Sequence, residues 1–281
     1  MAVKIVTDSS ADLPAELVQE LGITVVPLYV RFGEEVYREQ VDISLDEFYQ
    51  KLEHGHIHPV TIQPSPQDFA TTYQEVAPGA DGIVSIHISS KLSGTYNAAL
   101  QGKKMIEKGC PIEVIDSQLI TVGLGLICVA AATMAKAGES LSSVVKEVKQ
   151  MLPNIRLLNL LDTLKYLALG GRIGKAKALL GSILNVKPII TLKEGEVVPA
   201  GQVRSRSKGI ERLFDFVESA PNIEDLAIAY NTTPNEAQAL AERLGSIFTK
   251  QTVKVFRLGT TLGVHMGPGS LAVGLRGKKT A

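Results

Sequence analysis

GIVSIHISSKLSGTYNAA, residues 82–99, is the stretch from which the fold can be read. Gly82 to Ile88 is a short apolar run with a polar boundary, the pattern of a strand buried on both faces. A helix starts near Tyr96, so the intervening loop joins a strand to a helix. Within the loop, Ser89, Ser90, Ser93 and Thr95 supply hydroxyls and Gly94 lets backbone come close. They stand where the free N–H groups of a helix start would meet an anion. A phosphate, a carboxylate and an attacked carbonyl all fit that chemistry.

Two enzymatic motifs are incomplete here. A nucleotide-binding P-loop needs a lysine after its last glycine, but Gly94 is followed by Thr95. A nucleophile elbow needs glycine two residues before its serine, and Lys91 stands there instead. The plain structural reading is a helix start capped by Ser93 or Thr95.

Outward from this loop, strands alternate with helices. Val3 to Val6 is a strand, Asp12 caps a following helix with Pro14 in its first turn, and Gly22 ends it. Ile23 to Phe32 is rich in β-branched and aromatic residues and reads as one strand. Ser44 to Glu47 and Ser65 to Asp68 are helix-start signals. Helix up to Gly109, strand Ile112–Ile115, a buried helix within Ser117–Ala135 and an amphipathic helix Leu141–Leu152 follow. This alternation predicts a mostly parallel sheet covered on both faces.

Pro153 and Asn154 mark a change of pattern, which gives an N-terminal α/β domain, 1–154, and a C-terminal mixed α/β domain, 155–281. In the second, Leu160–Leu169 reads as a helix stopped by Gly170-Gly171, and Pro188–Leu192 pairs with Val197–Arg204 across a turn at Gly195. Thr233 to Glu236 starts a helix, and strands near 226–230, 253–258 and 271–275 complete a mixed sheet.

Composition narrows the function classes. The 281 residues are 45% hydrophobic and 21% charged, and 29 basic side chains balance 29 acidic ones, so no global field recruits nucleic acid. Cys110 and Cys128 lie outside any CxxC pattern, and the start MAVKIVTDSS lacks a long apolar region, which together suggest the cytoplasm. Ser117–Ala135 is uncharged but interrupted by Gln118, threonines and glycines and unflanked by aromatic belts, so it reads as a core helix and not a membrane span.

Other residues carry candidate chemistry. His54, His56 and His58 alternate like a metal tract but lack a Cys, Asp or Glu at ligand spacing, so no metal is assigned. Ser93 and His265 with Asp8, Asp116 or Asp162 compose a triad on paper, which would make an esterase or acyltransferase. Gly170-Gly171-Arg172 can bring backbone and a guanidinium to a carboxylate or phosphate. His265 precedes the rigid Gly267-Pro268-Gly269 turn, which suits a held hydrogen-bond donor. Arg204, Arg206 and Lys208 read as a basic ladder on a strand edge, either solvated or a docking surface.

Taken together, Thr7–Ser10, Thr61–Ser65, Leu92–Tyr96, Asp116-Ser117, Leu161–Tyr166 with Gly170–Gly174, and His265–Gly269 resemble the DegV family over nearly the whole chain. The resemblance implies a long-chain fatty acid held between two domains, with no cofactor. It implies that Thr61, the Ser93-Gly94-Thr95 loop and His265 hold the carboxylate, with Arg172 in the same polar network. Some members serve as the binding subunit of an ATP-dependent fatty acid kinase, which makes a lipid carrier the expected role and Arg204 a contact for the kinase. Ile62 stands where the family's usual serine does, which removes a possible hydroxyl from the second loop.

Overall fold

The computed structural model describes residues 2–107, 109–179, 186–249 and 252–278. In chain order the elements are β1 (Ala2–Asp8), α1 (Ala15–Leu21), β2 (Ile23–Val26), β3 (Tyr29–Phe32), β4 (Glu35–Arg38), α2 (Leu45–His54), β5 (Val60–Ile62), α3 (Pro66–Val76), β6 (Ala80–His87), α4 (Thr95–Lys104), β7 (Ile112–Asp116), α5 (Thr121–Lys136) and α6 (Leu141–Met151). There follow β8 (Ile155–Leu160), α7 (Lys165–Leu169), β9 (Lys187–Lys193), β10 (Glu196–Val203), α8 (Arg206–Glu218), β11 (Ile223–Tyr230), α9 (Pro234–Gly245), β12 (Lys254–Arg257), α10 (Thr260–Met266) and β13 (Leu271–Gly277).

A parallel sheet of order β2-β1-β6-β7 forms the first half, and a mixed sheet of order β10-β9-β8-β13-β11-β12 the second. Helices α3 and α4 cover one face of the parallel sheet, and α5 lies on the other, in contact with β1 and β6. The opposite side of α5 packs on β8, β11 and β13 of the mixed sheet, whose outer face carries α8 and α9. A helix that is apolar on all sides must be covered on all sides, and α5 is covered by two sheets. Its glycines make the approach possible: a Cβ on Gly123 would sit 2.9 Å from Leu157, and one on Gly125 would sit 2.8 Å from the Ala11 carbonyl. One hydrophobic core accordingly runs from Ile5 and Ile86 through Leu124 and Ile127 to Leu157, Ala229 and Ala272. No helix among the described residues is long and apolar enough to cross a membrane.

Several local expectations change. Ile23–Phe32 is two strands, because Pro27 lets the chain leave the parallel sheet at Val26 and enter a three-stranded antiparallel sheet of order β4-β3-β5. The expected helix over 160–169 is strand β8 up to Leu160 and helix only from Lys165. The basic ladder is not a strand: β10 stops at Val203, and Ser205 caps α8 by accepting the Lys208 N–H at 3.4 Å. The helix after the opening loop ends at Lys104, before Gly109. Asp12 does not cap α1. Its backbone is left-handed (φ 52°), and its buried carboxylate accepts the Gly259 N–H at 2.8 Å, far away in sequence. Ser65 and Asp68 do form a reciprocal capping box, and the β9–β10 hairpin turns at Glu194-Gly195 with positive φ at both residues.

Candidate functional site

Parallel strands of an open α/β sheet present their ligands at their carboxyl ends. Here β6 runs directly into Ile88 and the turn after β7 leads to Ile120, and both residues line a cavity with about 710 Å³ of empty space, mouth included. Leu28 and Leu92 line it too, Ile190 and Val197 of the β9–β10 hairpin face it, and α10 closes it with Leu262 and Met266. The hairpin is fastened to the first half of the chain where Ser89 Oγ donates to the Gly195 carbonyl at 2.8 Å.

One end of this apolar space is polar. Thr61, Ser93, Arg172 and His265 all line it. The Thr61 hydroxyl lies 3.0 Å from His265 Nε2. His265 sits in the last turn of α10 and not in the turn that follows it, and it is 8% exposed. Its Nδ1 is buried without a hydrogen-bond partner. Burial, then the Arg172 charge and then His58, hold its pKa down to about 4, so the ring is neutral at pH 7. Gly170 explains the paired glycines of the preceding loop: a Cβ there would lie 2.0 Å from His265 Nδ1. Arg172 spends Nε on the Leu92 carbonyl (3.3 Å) and Nη1 on the Gly170 carbonyl (2.8 Å), which ties its guanidinium to both loops of the polar end.

Ser93 Oγ is 2.8 Å from Thr95 Oγ1 and accepts the Thr95 N–H at 3.3 Å, but the cap position of α4 is Gly94 and has no side-chain bond, so neither Ser93 nor Thr95 is the helix cap that the plain structural reading expects. Thr95 is buried behind the cavity, and Gly94 gives room to the Gln63 side chain, since a Cβ on Gly94 would come within 2.1 Å of Gln63 Oε1. Gln63 is a lining residue that motif reasoning missed. The signal was the period of β5: alternation turns Thr61 and Gln63 to one side and Ile62 to the other. Ile62 is 38% exposed, so its side chain does not occupy the polar end.

The triad on paper is not assembled. Asp8 binds His87, Asp116 receives the Ser90 N–H and hydroxyl, and Asp162 pairs with Lys187 and Arg206. An Asp–His–Ser chain does exist elsewhere. His87 Nδ1 is 2.9 Å from Asp8 Oδ2 and His87 Nε2 is 2.6 Å from Ser85 Oγ, which accepts from the Tyr73 hydroxyl at 2.9 Å. All of Asp8, Ser85, His87 and Tyr73 are 0% exposed, so this chain is part of the scaffold.

Arg206 leaves the expected ladder and binds Glu236 through Nη2 at 2.6 Å and also the Gly269 carbonyl. Arg204 remains exposed. It lies past the far end of β10 from Val197, roughly 20 Å of extended chain from the cavity wall. No cluster of three or more metal-binding side chains occurs among the described residues.

Fold and site together define a class: an α/β protein with a parallel sheet, a mixed sheet and a small antiparallel sheet around an apolar cavity headed by hydroxyls, an imidazole and a guanidinium. The chain belongs to the DegV family, whose model, described as that of an uncharacterised protein family, matches residues 2–278. It is 40% identical over 278 residues to a DegV domain-containing protein of Streptomyces coelicolor, covering 96% of this chain and 97% of that one. Its structure is similar to that of a DegV family protein from Thermus thermophilus described for fatty acid binding (35% identity, TM-score 0.89, 99% of this chain and 100% of the other). It is likewise similar to a stearic acid-binding protein from Eubacterium ventriosum (29% identity, TM-score 0.89, 99% of each chain).

Proposed function

We propose that this protein binds a long-chain fatty acid with its tail in the apolar cavity and its carboxylate among Thr61, Ser93, Arg172 and His265, and that Gly94 and Thr95 shape the loop that presents Ser93. The observation that carries this reading is the cavity's polarity: Thr61, Gln63, Ser93, Arg172 and His265 are its polar lining beside Thr261, whose hydroxyl is taken by Glu39, and the other lining side chains are apolar. The tail would supply affinity, since about fifteen methylenes at about 0.8 kcal/mol each give on the order of 12 kcal/mol before ordering costs. A buried carboxylate without partners costs several kcal/mol, and hydroxyl, imidazole and guanidinium donors offset it. With its low pKa, His265 acts as a neutral hydrogen-bond donor, and Arg172 supplies the positive charge.

In this reading the protein is a cytoplasmic carrier without catalytic machinery or cofactor, with units 1–154 and 155–281 holding the ligand between them. It presents the acyl carboxylate to a separate ATP-dependent kinase, and exposed Arg204 contacts that partner. Solvent extraction of the purified protein followed by mass spectrometry tests the first part: a stoichiometric fatty acid is expected, together with a thermal shift that grows with added ligand. Extracts free of lipid and an unmoved Tm would overturn it. Acyl-phosphate formation by the kinase should slow with Arg204→Glu while lipid content stays unchanged.

A further inference from the structure

Thr7-Asp8-Ser9-Ser10 is a sequence motif that the lipid site does not use directly, and its side chains lead to a buried carboxylate on another segment. Glu39 is 1% exposed. Its Oε2 accepts the Ser9 hydroxyl at 2.5 Å and the Thr261 hydroxyl at 2.8 Å, and its Oε1 accepts the Thr261 N–H at 2.9 Å. Asp12 holds the neighbouring Gly259 N–H, and the fit is close enough that a Cβ on Gly259 would lie 2.3 Å from Glu39 Oε1. These two carboxylates clasp the start of α10, which has no side-chain cap of its own.

The clasp and the head-group site share one face of one helix. Thr261 and His265 are four residues apart in α10, one turn, and both line the cavity. Glu39 is fixed in turn: its N–H donates to the Leu28 carbonyl at 2.8 Å, and Ser9 Oγ accepts the Leu28 N–H at 2.9 Å. The residue just before Ser9 fixes the other arm of the site. Asp8 accepts the Ile88 N–H at 3.0 Å, directly ahead of the loop that carries Ser93. A single short segment thus references both polar arms.

We infer that Glu39 is a positioning residue for the carboxylate site: by gripping Thr261 it sets the height and rotation of α10, and with them the meeting point of His265 Nε2 and Thr61, without touching the ligand. Burying an acid here costs more than burying an apolar side chain of the same shape, and the geometry it fixes offsets that cost. The inference rests on the proposed fatty-acid reading and adds a residue outside the cavity to it.

The test is the ratio of affinities for a fatty acid and for the alcohol of the same chain length, measured on wild type and Glu39→Gln, with thermal denaturation alongside. The amide keeps the shape but has one acceptor oxygen in place of two. The expected result is a fall of about tenfold in acid-over-alcohol preference, the size of one hydrogen bond, with alcohol affinity kept. The ¹⁵N shifts of the His265 ring should move in the same variant. An unchanged ratio, or equal losses for both ligands, would overturn the inference while leaving fatty-acid binding intact. A wild type that binds neither ligand would overturn the underlying reading instead. Should Glu39→Gln fail to fold, Ser9→Ala, which removes one of the three donors, decides: a lowered ratio supports the clasp, and an unchanged one overturns it.

Discussion

His87 and His265 are both imidazoles shut away from water, and they differ in what surrounds their nitrogens. Both nitrogens of His87 are engaged, by Asp8 and by Ser85, inside a chain that ends on Tyr73. His265 has Thr61 on one nitrogen and nothing on the other, beside a cavity. The first has the residue types of a catalytic triad and no route for a substrate. The second has no carboxylate partner and an open apolar space before it. Complete burial with every hydrogen bond made marks His87 as scaffold, whereas His265 lines an apolar cavity and has only its Nδ1, packed against Gly170, left unpaired, which points to a ligand on the Nε2 side.

The contrast can be broken most sharply at His87. His87→Ala strips Asp8 of a buried partner and should cost about 3–5 kcal/mol of stability, read from chemical denaturation. An unchanged midpoint would remove His87 from the scaffold. His265 behaves differently with pH in the unliganded protein. Its folded pKa of about 4 lies below the ordinary histidine value of 6.5, so the unfolded chain takes up the proton first as pH falls. Its contribution is complete above pH 6.5 and is lost between there and about 4. His265→Gln should therefore gain on wild type by on the order of 3 kcal/mol as pH is lowered from 7 to 4. A pH-independent difference would place the ring in an ordinary aqueous setting.

Gly170→Ala drives a methyl group into His265 Nδ1 and should cost about 1–3 kcal/mol, with a matching loss of fatty-acid affinity. Retained affinity would show that the ring is free to move. The smallest effect is expected from Ser93→Ala, where loss of one hydrogen bond weakens fatty-acid binding by about 0.5–1.5 kcal/mol, beside a stability loss of similar size from the Thr95 N–H and hydroxyl that it leaves without their partner. Isothermal titration beside a melting curve separates the two.

Much of the architecture was legible because it is written locally. The βα alternation, the Ser65–Asp68 capping box and the Gly195 hairpin follow from spacing and turn chemistry. What was not legible depends on distant partners. Pro27 looks like a blemish within one strand until β3 is seen to join another sheet. Asp12 has the residue type of a helix cap, yet Gly259 takes its carboxylate. The motifs nominate Thr61, Ser93, Arg172 and His265, and the fold gathers these four at one end of a cavity. Glu39 carries no motif, and its clasp exists only once α10 has been brought beside it.

The position of α5 between two sheets has a consequence for how the chain is made. The ribosome delivers the parallel sheet and α5 before any strand of the mixed sheet. Until β8, β11 and β13 emerge, the side of α5 destined for them has no partner, and the nascent half displays an apolar helix face to solvent. Synthesis stalled shortly after residue 154 would leave a sticky intermediate and a cavity without its hairpin wall or His265. Under the proposed fatty-acid reading, capture begins only after α10, among the last elements to leave the ribosome, has docked.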